Sequence, residues 1–469
     1  MRKIFSVLCV VVLVFTVAFT LVGCGEQGDF DTLTVYNWAD YIYDYEEDFK
    51  AYYKEQTGRD IVVTYVTFDT NETMLTKVLK GDSQVDVICP SEYAIQKLLE
   101  ADMLEKLDYF TDSSYQNSQY VNSGIISKVK QAFDGFTVAG TPVDVTEYLV
   151  PYMYGTLGIL YNVDVMEEAG ITKDQIYDAG WGVLFNTNKD GNKLSAALDN
   201  RIFMKDSMRD SYVATICYLH ERGKFVGTPY QNVAIVDLIN TVDATLVEMV
   251  RATLIEQKQV LYGYEVDFGK NDLIAGTAYV DLAWSGDAMY AIEEAEAYGV
   301  ELDYFAPASG GNIWFDGWVM LKNSQNKEAA KLFIDFLNSP TSAAQNICEI
   351  GYTSAVAPEA IKADANAMQV LYDCYEVDAT SACEVAEFDQ YFFTDIRYPD
   401  VNSATLGVMK DFGVNNQMVV MMWEGVRSTG ITAWALLGWT MLALGVVVGL
   451  IAVIYVIRDH KRKYVVISK

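Results

Sequence analysis

Histidine is almost missing from this chain: 469 residues contain only His220 and His460. A serine–histidine triad or a histidine-bound zinc needs imidazole beside its chemistry, so hydrolase and metal readings start with little material. His220 follows the helical-looking run Val213–Leu219, where a structural role outweighs a catalytic one. The seven cysteines, Cys9, Cys24, Cys89, Cys217, Cys348, Cys374 and Cys383, include no CxxC pair, which removes zinc ribbons and dithiol redox motifs. Cys374 and Cys383 are near enough in sequence to close a small disulfide loop outside the cell, or to remain thiols. Cationic residues are scarce, 34 Lys and Arg against 64 Asp and Glu, for a net charge of −30. Such a chain has no cationic face to set against phosphates, so a nucleic-acid partner is not expected. There is no internal repeat, no low-complexity tract and no GxxxxGK[ST] phosphate loop, and no cofactor is expected.

The two ends carry the apolar runs. Met1-Arg2-Lys3 is a positive n-region, Ile4 to Leu21 is uncharged and apolar, and Leu21-Val22-Gly23-Cys24 resembles a bacterial lipobox. That resemblance implies cleavage after residue 23 and a lipid on Cys24. Ile431 to Ile457 again carries no charge. At about 1.5 Å per residue it is long enough to cross a hydrocarbon core of roughly 30 Å, which predicts a transmembrane helix. Trp434, Trp439 and Tyr455 suit the interfaces, while Arg458, Lys461, Arg462 and Lys463 place the tail 458–469 in the cytoplasm by the positive-inside rule. The body between the two ends is then extracytoplasmic and attached to the cell membrane. Two anchors are redundant, since a spanning helix alone holds a protein almost irreversibly.

Within the body, strand and helix patterns alternate. Leu33–Trp38 reads as a strand, Tyr43–Thr57 as an amphipathic helix stopped by Gly58, and Ile61–Phe68 as a β-branched strand. Thr73–Lys80 is helical up to Gly81, Val85–Cys89 is a short buried strand, and Pro90-Ser91 breaks before a helix over Tyr93–Glu100. Later, Ala278–Trp284 is a strand before a helix over Asp287–Tyr298, and Trp318–Leu321 precedes a helix over Lys327–Asn338. Residues 108–150 and 373–427 are less regular. This order predicts an α/β fold with a parallel sheet covered on both faces, its ligand crevice outside the carboxyl ends of the strands. Trp38, Tyr41, Ser91 and Tyr93 fall just there.

Local strings go further. Tyr36-Asn37-Trp38-Ala39-Asp40-Tyr41, Asn71-Glu72-Thr73-Met74, Pro90-Ser91-Glu92-Tyr93, Val150-Pro151-Tyr152-Met153-Tyr154-Gly155, Trp284-Ser285-Gly286-Asp287, Trp314-Phe315-Asp316 and Gly351-Tyr352 occur in this order. Together they resemble the spermidine/putrescine-binding proteins of bacterial ABC transporters, over roughly Leu33 to Glu359. The resemblance implies a two-lobed periplasmic-binding-protein fold with a hinge, closing on its ligand. Lobe one would be 32–147 with 315–360, and lobe two 148–314 with 361–427. It implies a binding protein, not an enzyme, whose partners are a polyamine and the permease and ATPase subunits of an importer.

By the same resemblance Trp38, Tyr41, Tyr93, Trp284, Trp314 and Tyr352 would form an aromatic box, Asp316 and Asp210 would grip amines, and Ser91 would hydrogen-bond. Carboxylates and aromatic faces suit alkylammonium ions on physical grounds as well. Asp316, flanked by Trp314, Phe315 and Trp318, would be costly to bury without a cation. In Lys205-Asp206-Ser207-Met208-Arg209-Asp210 the chain departs from the spermidine type, with Ser207 where an aspartate is expected after Asp206. Asp40 and Asp287 resemble the putrescine-preferring pattern. The family's late glutamine falls near Met409, and the segment around Cys374 and Cys383 matches nothing in it. Alternatives are a membrane-tethered sensory ectodomain for a small cation, or an extracellular hydrolase using paired carboxylates.

Overall fold

The computed structural model describes residues 30–429, apart from 82, 83 and 267. The expected leader, Cys24, the apolar run 431–457 and the tail 458–469 lie outside the described residues. Among the described residues no helix is long and apolar enough to cross a membrane.

β1 (Phe30–Trp38) pairs in parallel along its whole length with β2 (Asp60–Phe68), from Phe30 opposite Asp60 to Trp38 opposite Phe68. The connecting helix, Glu46–Thr57, has Glu46, Glu47 and Asp48 in its first turn, where they complement the helix dipole. It ends at Gly58, whose φ of 73° returns its amide to the carbonyl of Lys54. β3 (Val87–Ile88) lies parallel on the other side of β1. β4 (Leu104–Glu105), then the small hairpin of β5 (Thr137–Val138) and β6 (Thr141–Pro142), lead to β7 (Leu149–Asn162), which is buried throughout.

The second lobe contributes β8 (Ile202–Lys205), β9 (Leu261–Glu265), β10 (Val280–Trp284) and β11 (Leu302–Phe305). The chain returns through β12 (Gly311–Leu321), with β13 (Thr353–Ser354) and β14 (Leu406–Gly407) as short additions. The strand order is β2-β1-β3-β12-β7-β10-β8-β9.

The sheet is mixed, which corrects the expectation of a parallel one: β12 runs antiparallel to β3 and β7, and β7 antiparallel to β10 and β11. The reason lies in β7 and β12, each of which serves both lobes. Leu149–Thr156 pair with β12, whereas Leu157–Tyr161 pair with β10. Two connecting strands that leave one lobe and come back must run in opposite directions. Gly155 sits at the changeover, and a Cβ there would lie 2.4 Å from Ser285 Oγ and 2.8 Å from the Trp314 ring.

Side-chain alternation along β1 gives the first lobe a core on each face. Leu33 and Val35 join Phe49, Tyr53, Trp318 and Phe333 on one, and Tyr36 joins Met74, Ile95, Leu98 and Val319 on the other. Leu160, Phe203, Ala283, Ala288 and Tyr304 cluster in the second lobe. Ile361, Leu371, Phe388 and Phe392 cluster with Ala343, Ala344 and Ile347 of the helix Pro340–Ile350. A segment expected in lobe two from residue 361 thus packs on a helix expected in lobe one. The stretch 373–427 is also more regular than its sequence suggests, with a helix at Ala382–Phe392.

The described cysteines are all free thiols. Cys374 has its hydrogen-bonding neighbour in Cys348, while Cys383 faces Glu387 Oε1 at 3.3 Å. Residues 242–256 and 415–429 belong to a second, smaller unit, in which Asn415 Nδ2 donates to Val242 O at 3.1 Å.

Candidate functional site

Past the end of β3 at Ile88 come Cys89 and Pro90, and Ser91 opens the helix Glu92–Glu100. Ser91 also bridges to Asp316, where β12 carries a bulge between Asp316 and Gly317. The bulge turns a carboxylate-bearing residue toward the carboxyl ends of β1 and β3. Asp316 is 7% exposed, and burial raises its carboxyl to about 6 although the Ser91 and Tyr41 hydroxyls favour the ionised form. Its Oδ1 is buried with no hydrogen-bond partner among the described residues.

A second acid shares this place. Glu92 is buried, and burial with the charge of Asp316 pushes it up to about 8, against the weaker pull of Arg209. Its Oε2 accepts from the Phe315 amide at 3.4 Å. Sequence reasoning passed over Glu92, although a carboxylate one residue after Ser91, in the same string, was the available signal.

Aromatic rings surround the pair. Tyr41 and Tyr352 meet edge to face at 5.2 Å between centroids, and Trp314 lies 5.7 Å from Tyr352. Tyr352 lies so close to Gly286 that a Cβ there would come within 2.5 Å of its ring. Trp38 packs on Phe68 at 4.5 Å, its half-buried indole keeping an unpartnered N–H among the described residues. Asp40 is exposed, at a φ of 49°, outside this chain of contacts.

Tyr93 connects the two lobes. Its hydroxyl accepts from Asn71 Nδ2 at 3.0 Å, and the same amide reaches Ser91 Oγ at 3.0 Å, so Asn71 positions two expected contacts. The face of the Tyr93 ring carries the guanidinium of Arg209 at 4.1 Å, with Phe412 on it at 4.2 Å. Tyr93 was expected to face a ligand; in the structure its partner cation is Arg209.

On the second lobe Ser207 caps the helix Met208–Glu221, accepting from the Asp210 amide at 3.3 Å. The Asp206 amide donates to Glu265 O at 2.6 Å. Asp210 is buried, which raises its carboxyl, and it accepts from Trp284 Nε1 at 3.4 Å. Asp287 pairs with Lys270 at 3.4 Å. Lys205 lies 4.7 Å over the Trp284 ring. Met409, where the resemblance places a glutamine, is buried.

Asn71 links Ser91 to Tyr93, Tyr93 carries Arg209, and on the second lobe Asp210 is bonded to Trp284 while Asp287 is paired with Lys270. Asp316 Oδ1 and Asp287 Oδ2 are both buried with no hydrogen-bond partner among the described residues, an arrangement of acids and aromatic faces that suits a cation better than an anion.

Residues 38–344 match the family of bacterial extracellular solute-binding proteins. The chain is 27% identical over 330 residues to the putrescine-binding periplasmic protein SpuD of Pseudomonas aeruginosa, covering 70% of this chain and 79% of that one. It is 25% identical over 332 residues to the spermidine/putrescine-binding periplasmic protein of Salmonella typhimurium, with the same coverage. In fold it is similar to the substrate-binding protein PotD of a spermidine/putrescine ABC transporter from Streptococcus pneumoniae, with a TM-score of 0.59 and 24% identity over 85% of this chain and 98% of that one. A family match over more than half of its length, on a two-lobed α/β frame, makes this chain a member of the bacterial extracellular solute-binding proteins.

Proposed function

We propose that this protein is the polyamine-capturing component of an ABC importer, holding putrescine or a similar alkyl polyamine in the cleft between its lobes and delivering it to permease and ATPase subunits. The observation that carries this reading is Asp316, a buried carboxylate with an unpartnered oxygen, set among Tyr41, Trp314 and Tyr352. An ammonium ion meets the need of that oxygen, and the methylene stem suits the rings. Ser91 and Glu92 support Asp316 from one lobe, and Asp210, Trp284 and Asp287 form the opposing wall. Asp40, Asp206 and Ser207 stand at the margin. β7 and β12 serve as the hinge between lobes divided near 147 and 315, while residues 361–392 go with the helix Pro340–Ile350. The body works outside the cell, tethered by a lipid on Cys24 and by the apolar run 431–457.

Calorimetric titration of the purified full-length chain with putrescine, cadaverine, spermidine, spermine and arginine tests the reading. Saturable binding of a polyamine at one site is expected, with a change in tryptophan emission. Binding of none of them would overturn it.

A further inference from the structure

The wall formed by the second lobe already contains an alkylammonium ion. Lys205, the last residue of β8, is 2% exposed and ends in a bond to the Glu265 carboxylate. Its Nζ also donates to Val266 O at 2.7 Å and lies 4.7 Å over the Trp284 ring. Glu265 has little left to offer anything else, since its Oε2 accepts from the Gly269 amide at 2.9 Å. Burial disfavours the Lys205 ammonium, but Asp281, Asp287 and Glu265 outweigh it and hold the group charged. Asp281 is 2% exposed and Asp287 9% exposed, and Lys270 adds a second cation beside Asp287.

Two ends of the cleft therefore differ. Around Asp316 and Glu92 the acids face aromatic rings, and the nearest cation, Arg209, is spread over Tyr93 and Phe412 with a hydrogen bond to Lys410 O. Around Trp284 the acids lie beside two ammonium groups, Lys205 and Lys270, although Asp281 Oδ1 and Asp287 Oδ2 keep no hydrogen-bond partner among the described residues. A four-methylene stem ending in an ammonium on an indole face is chemically one end of a polyamine, supplied here by the protein.

We propose that Lys205 is a specificity-determining residue, whose ammonium takes the Trp284 face and the charge of Asp281, Asp287 and Glu265 so that the cleft accepts a diamine and disfavours a triamine. A diamine needs Asp316 at one end and Asp210, which accepts from Trp284 Nε1, at the other. A triamine brings a further cation toward Lys205, where like charges repel at short range in a site with little water. The inference rests on the polyamine reading above, and sharpens it to ligand length.

The test compares putrescine with spermidine by calorimetry on the full-length chain. The natural protein is expected to bind putrescine at least tenfold more tightly. In the double variant Lys205→Met/Glu265→Gln both members of the ion pair go and volume is kept; burial already favours the neutral form of Asp281, and Lys270 still pairs Asp287. There the putrescine preference should fall at least tenfold, chiefly through tighter spermidine binding, with an unchanged circular-dichroism spectrum. Lys205→Arg, which keeps the charge, should retain the preference. Tighter spermidine binding by the natural protein would overturn the role of Lys205 without any variant. So would an unchanged ratio in the folded double variant. Failure of the natural protein to bind either amine would overturn the polyamine reading itself, a distinguishable result.

Discussion

Glu92 and Asp316 come from segments far apart in sequence and meet at one buried point, where the amide of Phe315, next to Asp316, donates to Glu92 Oε2 at 3.4 Å. Their proximity makes the ligand-free site a proton store. Burial first, and then mutual repulsion, raises Glu92 from 4.5 to about 8, while burial raises Asp316 from 3.8 to about 6. Folded-state values above the unfolded ones mean that the folded protein keeps protons the unfolded chain releases. The stability they contribute is present at low pH and lost as pH rises through about 6 and then about 8. Without ligand, the melting temperature should fall between about pH 5 and 8.5. Glu92→Gln should flatten the upper part of that fall, and an identical slope in the variant would count against the shared proton.

Asp316→Asn should weaken putrescine binding roughly ten- to a hundredfold, the worth of a charge-assisted hydrogen bond of about 1.5–3 kcal/mol. Because the carboxylate must be ionised to hold an ammonium, affinity in the natural protein should drop as pH falls below about 6. The variant should lose that pH dependence. Calorimetry at several pH values reads both effects, and a folded variant with unchanged affinity would move recognition to the rings and Asp210.

Gly286→Ala places a methyl group within 2.5 Å of the Tyr352 ring. Within a helix the exchange itself favours folding by up to about 1 kcal/mol, so global stability is expected to hold. Binding should weaken several-fold, because Tyr352 must shift away from Tyr41 and Trp314. A crystal structure of the variant with Tyr352 in place and full affinity would show that the close approach is not needed.

Among the thiols, Cys374 should react first with iodoacetamide. The neighbouring Cys348 thiol lowers its proton affinity, whereas the Glu387 carboxylate raises that of Cys383. Both are exposed, so access does not decide the order. Timed alkylation read by mass spectrometry checks it, and faster loss of the Cys383 thiol would contradict the arrangement.

Arg397 is fully buried, paired with Glu293 at 2.6 Å, bonded to Gly351 O at 3.1 Å and stacked on Phe392 at 4.4 Å. Arg397→Met should cost about 3 kcal/mol, the low end for breaking a buried pair, because Glu293 keeps some contact with water. Urea unfolding measures the loss.

The local strings singled out Trp38, Tyr41, Ser91, Tyr93 and Asp316, and in the fold these lie at or just past strand ends or at the bulge of β12. The ends of β1 and β2 at Trp38 and Phe68, the stop of the first helix at Gly58 and the helix after Pro90 were also legible, whereas β1 starts three residues before the expected Leu33 and the first helix three after the expected Tyr43. These are short-range properties, carried by neighbours in the chain.

Whatever depends on distant segments had to wait for the tertiary structure. Antiparallel β7 and β12, the Glu92–Asp316 pair, Arg209 on Tyr93, Lys205 on Trp284 and the Cys348–Cys374 contact each join residues brought together by packing. Composition and periodicity determined that this is an acidic α/β chain with aromatic and acidic residues at its strand ends. Which acids face rings and which face the protein's own lysines was decided by the folded arrangement, because Coulomb energy depends on separation and burial, and neither is a property of a residue's place in the chain.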